Sequence, residues 1–428
     1  MSASAKIFEL FAVFVKLGCL CFGGPVAHLG YFHDEFVRKR KWLDEAHFTD
    51  LVALCNFLPG PASSQTVFAL GMERAGLAGA LAASVAFLLP SAIIMILLGY
   101  GLAALGNPQT AGWLHGLKIA AAAVVAQAVW TMARRLCPDF PRALLALASA
   151  AFIVFRPGAY AQLGVIVAGL AIGFGLQFTV YGSRLAKGAR VQSNGLEVGS
   201  APDNPNIEKL NGAHGIQPKT VNSKLKTSHK YALAALLLYA VLLFLLPLLA
   251  TPSAPRHERV FASFYRAGAL VYGGGHVVLP LLRAEVVPPG WIGDGAFLAG
   301  YGAAQALPGP LFSFAAYLGT VIFAGPHAWL GGLMCLFAIY LPAWLVVGGA
   351  LPFWHTLRTQ AWAQAALRGA NAAVVGILAA ALLNPIGVEA IGSACDLAAA
   401  LVALLLLEKW RVPPWAVVLL AAALGSLI

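Results

Sequence analysis

The segments "NFLPGPASSQ" (56–65) and "AQALPGPLFS" (304–313) decide how this chain folds. Each sets Pro-Gly-Pro inside an apolar run, where a membrane helix would carry Leu or Val. Proline lacks an N–H and clashes with the preceding turn, so Pro59 and Pro308 stop the incoming half-helix. Gly60 and Gly309 can take up whatever dihedral angles the corner requires. Pro61 and Pro310 suit the first position of a new helix. The amides of the next turn then lack an intrahelical partner, and away from water something else must satisfy them. A helix N-terminus with free donors and a positive dipole end suits an anion. Asn56, Ser63 and Ser64 add side-chain donors in the first segment, and Gln305 and Ser313 do so at the matching places in the second.

The surroundings of these segments are those of a bilayer protein. The chain has 428 residues, of which 60% are hydrophobic and 11% charged, with a mean hydropathy of +0.79. Soluble domains carry roughly 25% charged residues. Stretches 76–103, 114–133, 158–178, 231–249 and 329–351 approach or exceed the roughly 20 apolar residues that cross a membrane. The fold class is therefore an all-α polytopic membrane protein. The start "MSASAKIFELFAVFVK" has no Ala-x-Ala cleavage pattern and is not expected to be a secretory signal. The net charge of +11 reads as loop charge that sets orientation, not as a nucleic-acid surface. The six cysteines lie in or near apolar segments with no C-x-x-C among them, so no disulfide framework, metal or cofactor is expected. No nucleophile–base constellation is present, which argues against an enzyme.

The chain repeats itself. At an offset of 250, Phe11, Phe14, Lys16, Gly18, Phe22, Gly23, Gly24 and Glu35 face Phe261, Phe264, Arg266, Gly268, Tyr272, Gly273, Gly274 and Glu285. At an offset of 249, Trp42, Phe48, Pro59, Gly60, Pro61 and Ser64 face Trp291, Phe297, Pro308, Gly309, Pro310 and Ser313. The organisation is a first half over 1–181, a flexible polar linker over 182–230, a connecting helix over 231–249 and a second half over 250–428. Internal duplication with interrupted helices is a transporter signature. Six apolar segments per half, each crossing once, plus the connecting helix, predict inverted repeats. The charge rule objects to one point of this scheme. It puts the linker, Arg134, Arg135 and Arg142 inside, but leaves "RKRK" (38–41) outside. A re-entrant LPGP segment would move that run inside, at the cost of parallel repeats.

Charges within apolar segments are costly and usually functional. Lys16 pairs with Arg266 across the repeat, and Lys118 with Arg368; Asp396 is the one intramembrane acid expected. Gly23 follows Lys16 by seven residues, and Gly273 follows Arg266 by seven, so cation and glycine share a face roughly 10 Å apart. Gly24, Gly274 and Gly275 extend the two breaks. Snorkelling toward the interface is the structural alternative for these cations. His28 and His276 near the breaks could titrate. Glu35 and Glu285, expected to pair with Arg38 and Arg283, are coupling or gating candidates. The two LPGP turns are expected to meet near mid-membrane around a shared polar cavity.

These residues resemble the chromate transporter family of bacterial membranes. "FGGP" (22–25) with "YGGGH" (272–276), the two LPGP segments, and the W-x5-F lead-ins Trp42/Phe48 and Trp291/Phe297 carry the resemblance, which covers nearly all of the chain outside 182–230. It implies two homologous halves of opposite orientation, and a secondary transporter or antiporter of the inner membrane that exports chromate, driven by the membrane gradient, and confers resistance. The implied partners are chromate or sulfate as solute and the lipid bilayer; a homodimer is compatible with the sequence. Chromate and sulfate are tetrahedral dianions of similar size and the residues do not separate them, so a sulfate permease or an anion channel is the alternative. Pro25 stands where the second half has Gly275, so the two glycine breaks should differ in shape.

Overall fold

A computed structural model describes residues 2–104, 112–193, 229–272, 274–357 and 360–426. Helix α1 (Ala3–Leu20), capped by the Ser2 side chain, stops at a break in which Gly23 takes φ +95°. Helix α2 (Gly24–Phe32) then folds back along α1. Phe14 packs on Phe32 and Phe36 with ring centroids 6.4 and 5.2 Å apart. Arg40, beyond α2, donates to Glu9 near the start of α1 at 3.0 Å.

Helix α3 (Glu45–Phe57), capped by Asp44, enters from this same face and stops at the LPGP turn. Helix α4 (Ala62–Ala104) follows, but Ala75 and Gly76 leave helical geometry and divide it into arms 62–74 and 77–104. A Cβ on Gly71 would lie 2.5 Å from the Gly79 carbonyl oxygen, so the arms pack backbone to backbone. The first arm returns to the face where α3 began. There His47 Nε2 lies 2.9 Å from Glu73 Oε1, and Arg74 donates to Glu9 at 3.2 Å.

This corrects the expectation that each apolar segment crosses once: the first two segments of the first half, over 3–32 and 45–74, are helical hairpins that dip to mid-depth and come back. The physical reason lies in charge. Folded back, the chain brings Glu9, Arg40, His47, Glu73 and Arg74 together at one face instead of stranding half of them across the membrane.

The second half repeats the plan. Helices α9 (Arg256–Ala269) and α10 (Val278–Val286) form one hairpin, α11 (Asp294–Ala306) and α12 (Phe314–Ile322) the other. Arg266 is clasped by Glu285, Arg283 donates to Asp294 at 2.6 Å, and the Tyr317 hydroxyl donates to the Ala296 carbonyl at 2.8 Å. These contacts close the hairpin mouths at the opposite face of the molecule.

Arm 77–104, α5 (Gly112–Leu136), α6 (Phe140–Phe155) and α7 (Ala159–Ser193) follow the hairpins in the first half. Their counterparts are α13 (Ala328–Ala350), α14 (Ala361–Ala381), α15 (Ala394–Glu408) and α16 (Pro414–Gly425), with α8 (His229–Leu249) between the halves. Contacts fix the directions. Tyr100, near the end of α4, donates to the Pro326 carbonyl at 3.0 Å, just before α13. The α5 and α15 helices run parallel, through His115–Asp396 at 2.8 Å and Gln127 to the Leu407 carbonyl at 3.2 Å. The α7 and α14 helices run antiparallel, with Gly169 against Ala373 and Gly173 against Ala365. Four crossings and α8 make five between equivalent points among the described residues, an odd number, so the halves are inverted.

Counting both early segments as hairpins also removes the charge conflict. Arg38, Lys39, Arg40 and Lys41 lie on the same face as Arg74, Arg134, Arg135, Arg142 and Lys230, hereafter face I. Face II, at the other end, carries Arg156, Arg256, Arg259 and Arg283. The α7 helix runs to Ser193, past the expected boundary at 181; residues 194–228 of the expected linker lie outside the described residues.

Candidate functional site

Both breaks lie at mid-depth. Tyr239, the central residue of α8 (His229–Leu249), donates its hydroxyl to the Ala269 carbonyl at 3.1 Å, at the end of α9. Its own carbonyl accepts from Tyr265 at 3.0 Å. In the first half, Gly18 packs against Phe87 and Pro90, midway along arm 77–104.

Each LPGP turn docks on the glycine break of the other half. The Gly60 N–H donates to the Val271 carbonyl and the Gly309 N–H to the Cys21 carbonyl, both at 2.8 Å. Cys21 and Val271 are equivalent at the offset of 250, so the exchange follows the repeat. Gly60 has φ +127° and Gly309 φ +99°, values that L side chains rarely adopt. A Cβ at Gly60 would meet Gln65 Nε2 at 2.6 Å and Ala343 at 3.1 Å; one at Gly309 would meet Ser91 Oγ at 2.9 Å. Side chains therefore fill the space against both glycines, where an open shared cavity was expected.

All four returning helices begin at this depth: α2 at Gly24, arm 62–74 at Ala62, and the 3-10 turns Gly275–Val277 and Leu311–Ser313 ahead of α10 and α12. Their positive dipole ends converge. The first backbone bond of arm 62–74 runs from Gln65 N–H to the Pro61 carbonyl at 2.9 Å, so the amides of Ala62, Ser63 and Ser64 precede it. Ser63 and Ser64 are buried. The breaks differ in shape, as Pro25 against Gly275 implies: α2 starts as α-helix after Gly23, whereas Gly274, at φ +145°, leads into a 3-10 turn. Gly273 lies outside the described residues.

The two turns are not chemically equal. Ser313 Oγ donates to the Pro310 carbonyl at 2.9 Å and is spent locally. Ser64 Oγ and the Tyr340 hydroxyl lie buried against each other, and neither has a hydrogen-bond partner beyond the other. The Trp344 indole N–H, one turn further along α13, is also buried and unpartnered. Tyr340 packs on Phe312 of the second LPGP segment, centroids 5.7 Å apart, so it adjoins both turns. Sequence reasoning missed Tyr340 and Trp344. "YLPA" (340–343) against "LLPS" (88–91) repeats another proline within the apolar runs, and was the available signal.

Other expected site residues lie elsewhere or are occupied. Asn56 is exposed and donates to Val52 of its own helix at 2.9 Å. Gln305 and Tyr301 gather on His276 Nδ1 at 3.5 and 2.9 Å. His28 is fully buried, and its Nε2 reaches the Cys21 carbonyl at 3.1 Å, the oxygen that also accepts from Gly309.

Arg266 is no free cation, as its hydrogen bonds to Glu285 are bidentate, the first at 2.6 Å. Lys16 is exposed on α1. Burial pushes the Glu35 carboxyl up, but the hydrogen bond from Arg40 and the charges of Arg40, Lys39 and Lys16 outweigh it and hold it below its ordinary value. The expected pairings with Arg38 and Arg283 are corrected: Arg38 goes to Asp34 at 3.1 Å, Glu35 to Arg40 at 2.7 Å, and Arg283 to Asp294. Asp396 is not deep in the membrane; it closes a capping box with Ser393 at the start of α15 and meets His115 at 2.8 Å. Lys118 is half-buried near Gly295 at the face II end of α5, and Arg368 donates to the Gln364 carbonyl on α14. No cluster of metal-ligating side chains occurs among the described residues.

Comparison with known proteins agrees with the repeat. The chromate transporter family model matches twice, over residues 8–174 and 259–426. A chromate transport protein of Pseudomonas aeruginosa is 27% identical over 88% of this chain and 80% of its own length. A chromate transport protein of Cupriavidus metallidurans is 25% identical over 98% and 92%. An uncharacterized transporter of Methanocaldococcus jannaschii is 25% identical over 88% and 83%. No solved structure matches. With its two halves each covered by that model, the chain belongs to the chromate transporter family.

Proposed function

We propose that this protein is a secondary transporter that exports chromate across the bacterial inner membrane, driven by the membrane gradient, and that it thereby confers chromate resistance. The observation that carries the reading is the pair of adjoining hydroxyls, Ser64 and Tyr340, buried at the start of arm 62–74 with no partner outside the pair. An oxyanion brings only acceptor oxygens and needs donors from several directions. Two such hydroxyls beside three leading amides supply them without a full charge. Face I, with its surplus of Lys and Arg, is the cytoplasmic side under the positive-inside rule.

The test is chromate accumulation in cells with and without the protein, repeated with excess sulfate and after collapse of the membrane gradient. Export predicts lower accumulation in cells that carry the protein, lost on collapse. Equal accumulation refutes it. Full suppression by equimolar sulfate would reassign the protein as a general sulfate-type permease.

A further inference from the structure

We propose that the mouth of the α9–α10 hairpin on face II is a docking site for a free tetrahedral dianion, built on Arg259 and separate from the central turns. The choice of ligand class rests on the oxyanion reading above. The starting point is an asymmetry between the halves. Arg259, Ser263 and Arg266 stand at i, i+4 and i+7 of α9, on one stripe. At the offset of 250 the first half carries Glu9, Val13 and Lys16. Glu9 is clasped by Arg40 at 3.0 Å and Arg74 at 3.2 Å, and both guanidinium groups lie over Trp42, 5.4 and 4.4 Å from its ring centre. That mouth is neutralised by its own side chains.

On face II the equivalent tryptophan, Trp291, carries the guanidinium of Arg259 at 5.7 Å. No carboxylate lies within 4 Å of Arg259 among the described residues, and its Nε is buried without a partner. Arg266 is held by Glu285 and lies over Tyr160 at 5.2 Å. Two guanidinium groups against one carboxylate leave a surplus of one positive charge. Tyr160, Arg259, Ser263, Arg266, Glu285 and Trp291 line a cavity of about 170 Å³. A water needs roughly 10–15 Å³ of this kind of space, so the cavity has room for a dianion with part of its hydration shell. The planar fork of Arg matches oxyanion geometry. Glu285 fixes Arg266 along the wall, Ser263 offers a hydroxyl, and Arg259 supplies the unspent fork.

Chromate absorbs in the near ultraviolet and quenches nearby tryptophan, which gives a readout independent of transport. The purified full chain is titrated with chromate in maltoside detergent and in phospholipid nanodiscs, and the signal of a Trp291→Phe variant is subtracted. A saturable Trp291 component is expected, displaced by sulfate, with its midpoint raised at least ten-fold in Arg259→Gln and partly restored in Arg259→Lys. In proteoliposomes the chromate KM should rise for Arg259→Gln only when chromate is presented to face II.

Equal midpoints in wild type and Arg259→Gln would overturn the proposal. A component present in maltoside but absent in phospholipid would overturn it as well, by assigning the cavity to a lipid phosphate. Failure of the transport reading looks different: no flux in wild type, with the Trp291 titration unaffected.

Discussion

The sharpest perturbation is Tyr340→Phe, because stability and transport should move in opposite directions. The Tyr340 ring is fully buried, and its hydroxyl has no partner beyond the adjoining Ser64 hydroxyl. A buried polar group left unsatisfied costs about 1–3 kcal/mol. Removing the oxygen while keeping the ring should therefore stabilise the empty protein by up to about that amount, and raise its melting temperature. If the hydroxyl exists to meet an oxyanion, the same change deletes a hydrogen bond to a charged group. Such bonds contribute about 1.5–3 kcal/mol, equivalent to a roughly 10- to 150-fold loss of affinity. Ser64→Ala should behave alike, since Ser64 Oγ likewise has no partner beyond the Tyr340 hydroxyl. Ser313→Ala should not, since its hydroxyl is spent on the Pro310 carbonyl. The assay pairs thermal unfolding in detergent with chromate flux into proteoliposomes over a concentration series. A Tyr340→Phe variant that melts lower and transports with unchanged KM would refute the reasoning, because the hydroxyl would then be a structural group and not a waiting donor.

Gly309→Ala should reduce transport and stability, since φ +99° and a Cβ 2.9 Å from Ser91 Oγ impose about 1–3 kcal/mol of backbone strain; adding Ser91→Gly should recover only the steric part, in melting temperature and in flux. Arg266→Ala should cost about 3–5 kcal/mol by stranding the buried Glu285 carboxylate, and Arg266→Ala with Glu285→Ala should melt well above the single variant. In a cysteine-free background, cysteines at Lys39 and Arg135 should react with an impermeant reagent from one face, and a cysteine at Pro289 from the other; labelling of all three from one face would sink the inverted arrangement. The hydrogen bond to Glu73 raises the His47 pKa above its ordinary 6.5 despite the opposing desolvation. That pair's contribution should be complete below pH 6.5 and fade as pH climbs through the raised value, so the gap in melting temperature between wild type and His47→Gln should shrink from pH 6 to pH 9.

The LPGP turns were legible in the sequence because the mechanics of Pro59, Gly60 and Pro61 are local. The number of crossings was not. An apolar segment such as the one that ends at Gly23–Gly24 or the one that carries Pro59–Gly60–Pro61 has the same composition whether it passes through a bilayer or folds back at a glycine. What decides is the meeting of Glu9 with Arg40 and Arg74, at sequence separations of 31 and 65, and no window along the chain reports that. The charge run at 38–41 held the clue, since it objected to the one-crossing count. The candidate site was half legible for the same reason. Ser63 and Ser64 follow a visible helix start, whereas Tyr340 reaches Ser64 from the other half of the chain. The Lys16/Arg266 equivalence was real as sequence, but Glu285 had already claimed the second cation.

If the central turns hold the oxyanion as proposed, their cross-docking explains how the interior would favour an anion without placing a cation at its centre. Each break brings together the carbonyl end of an incoming helix and the amide end of a returning one. Left alone, the two would roughly cancel. Carbonyls are consumed first: Val271 accepts from Gly60, and Cys21 accepts from both Gly309 and His28. The carbonyl-rich ends are thus partly satisfied by groups of the opposite half, while the amides of Ala62, Ser63 and Ser64 stand before the first helical bond of their own arm. The remainder is a surplus of donors at mid-depth, made of partial charges and the Ser64 and Tyr340 hydroxyls. A fixed guanidinium there would hold a dianion too tightly to release it and would need a counterion when empty. Arg266 has one in Glu285, toward the hairpin mouth. A surplus of neutral donors needs none, so a site of the proposed kind would persist when empty at the cost of two hydroxyls with no partner beyond each other, and a bound oxyanion would be free to leave.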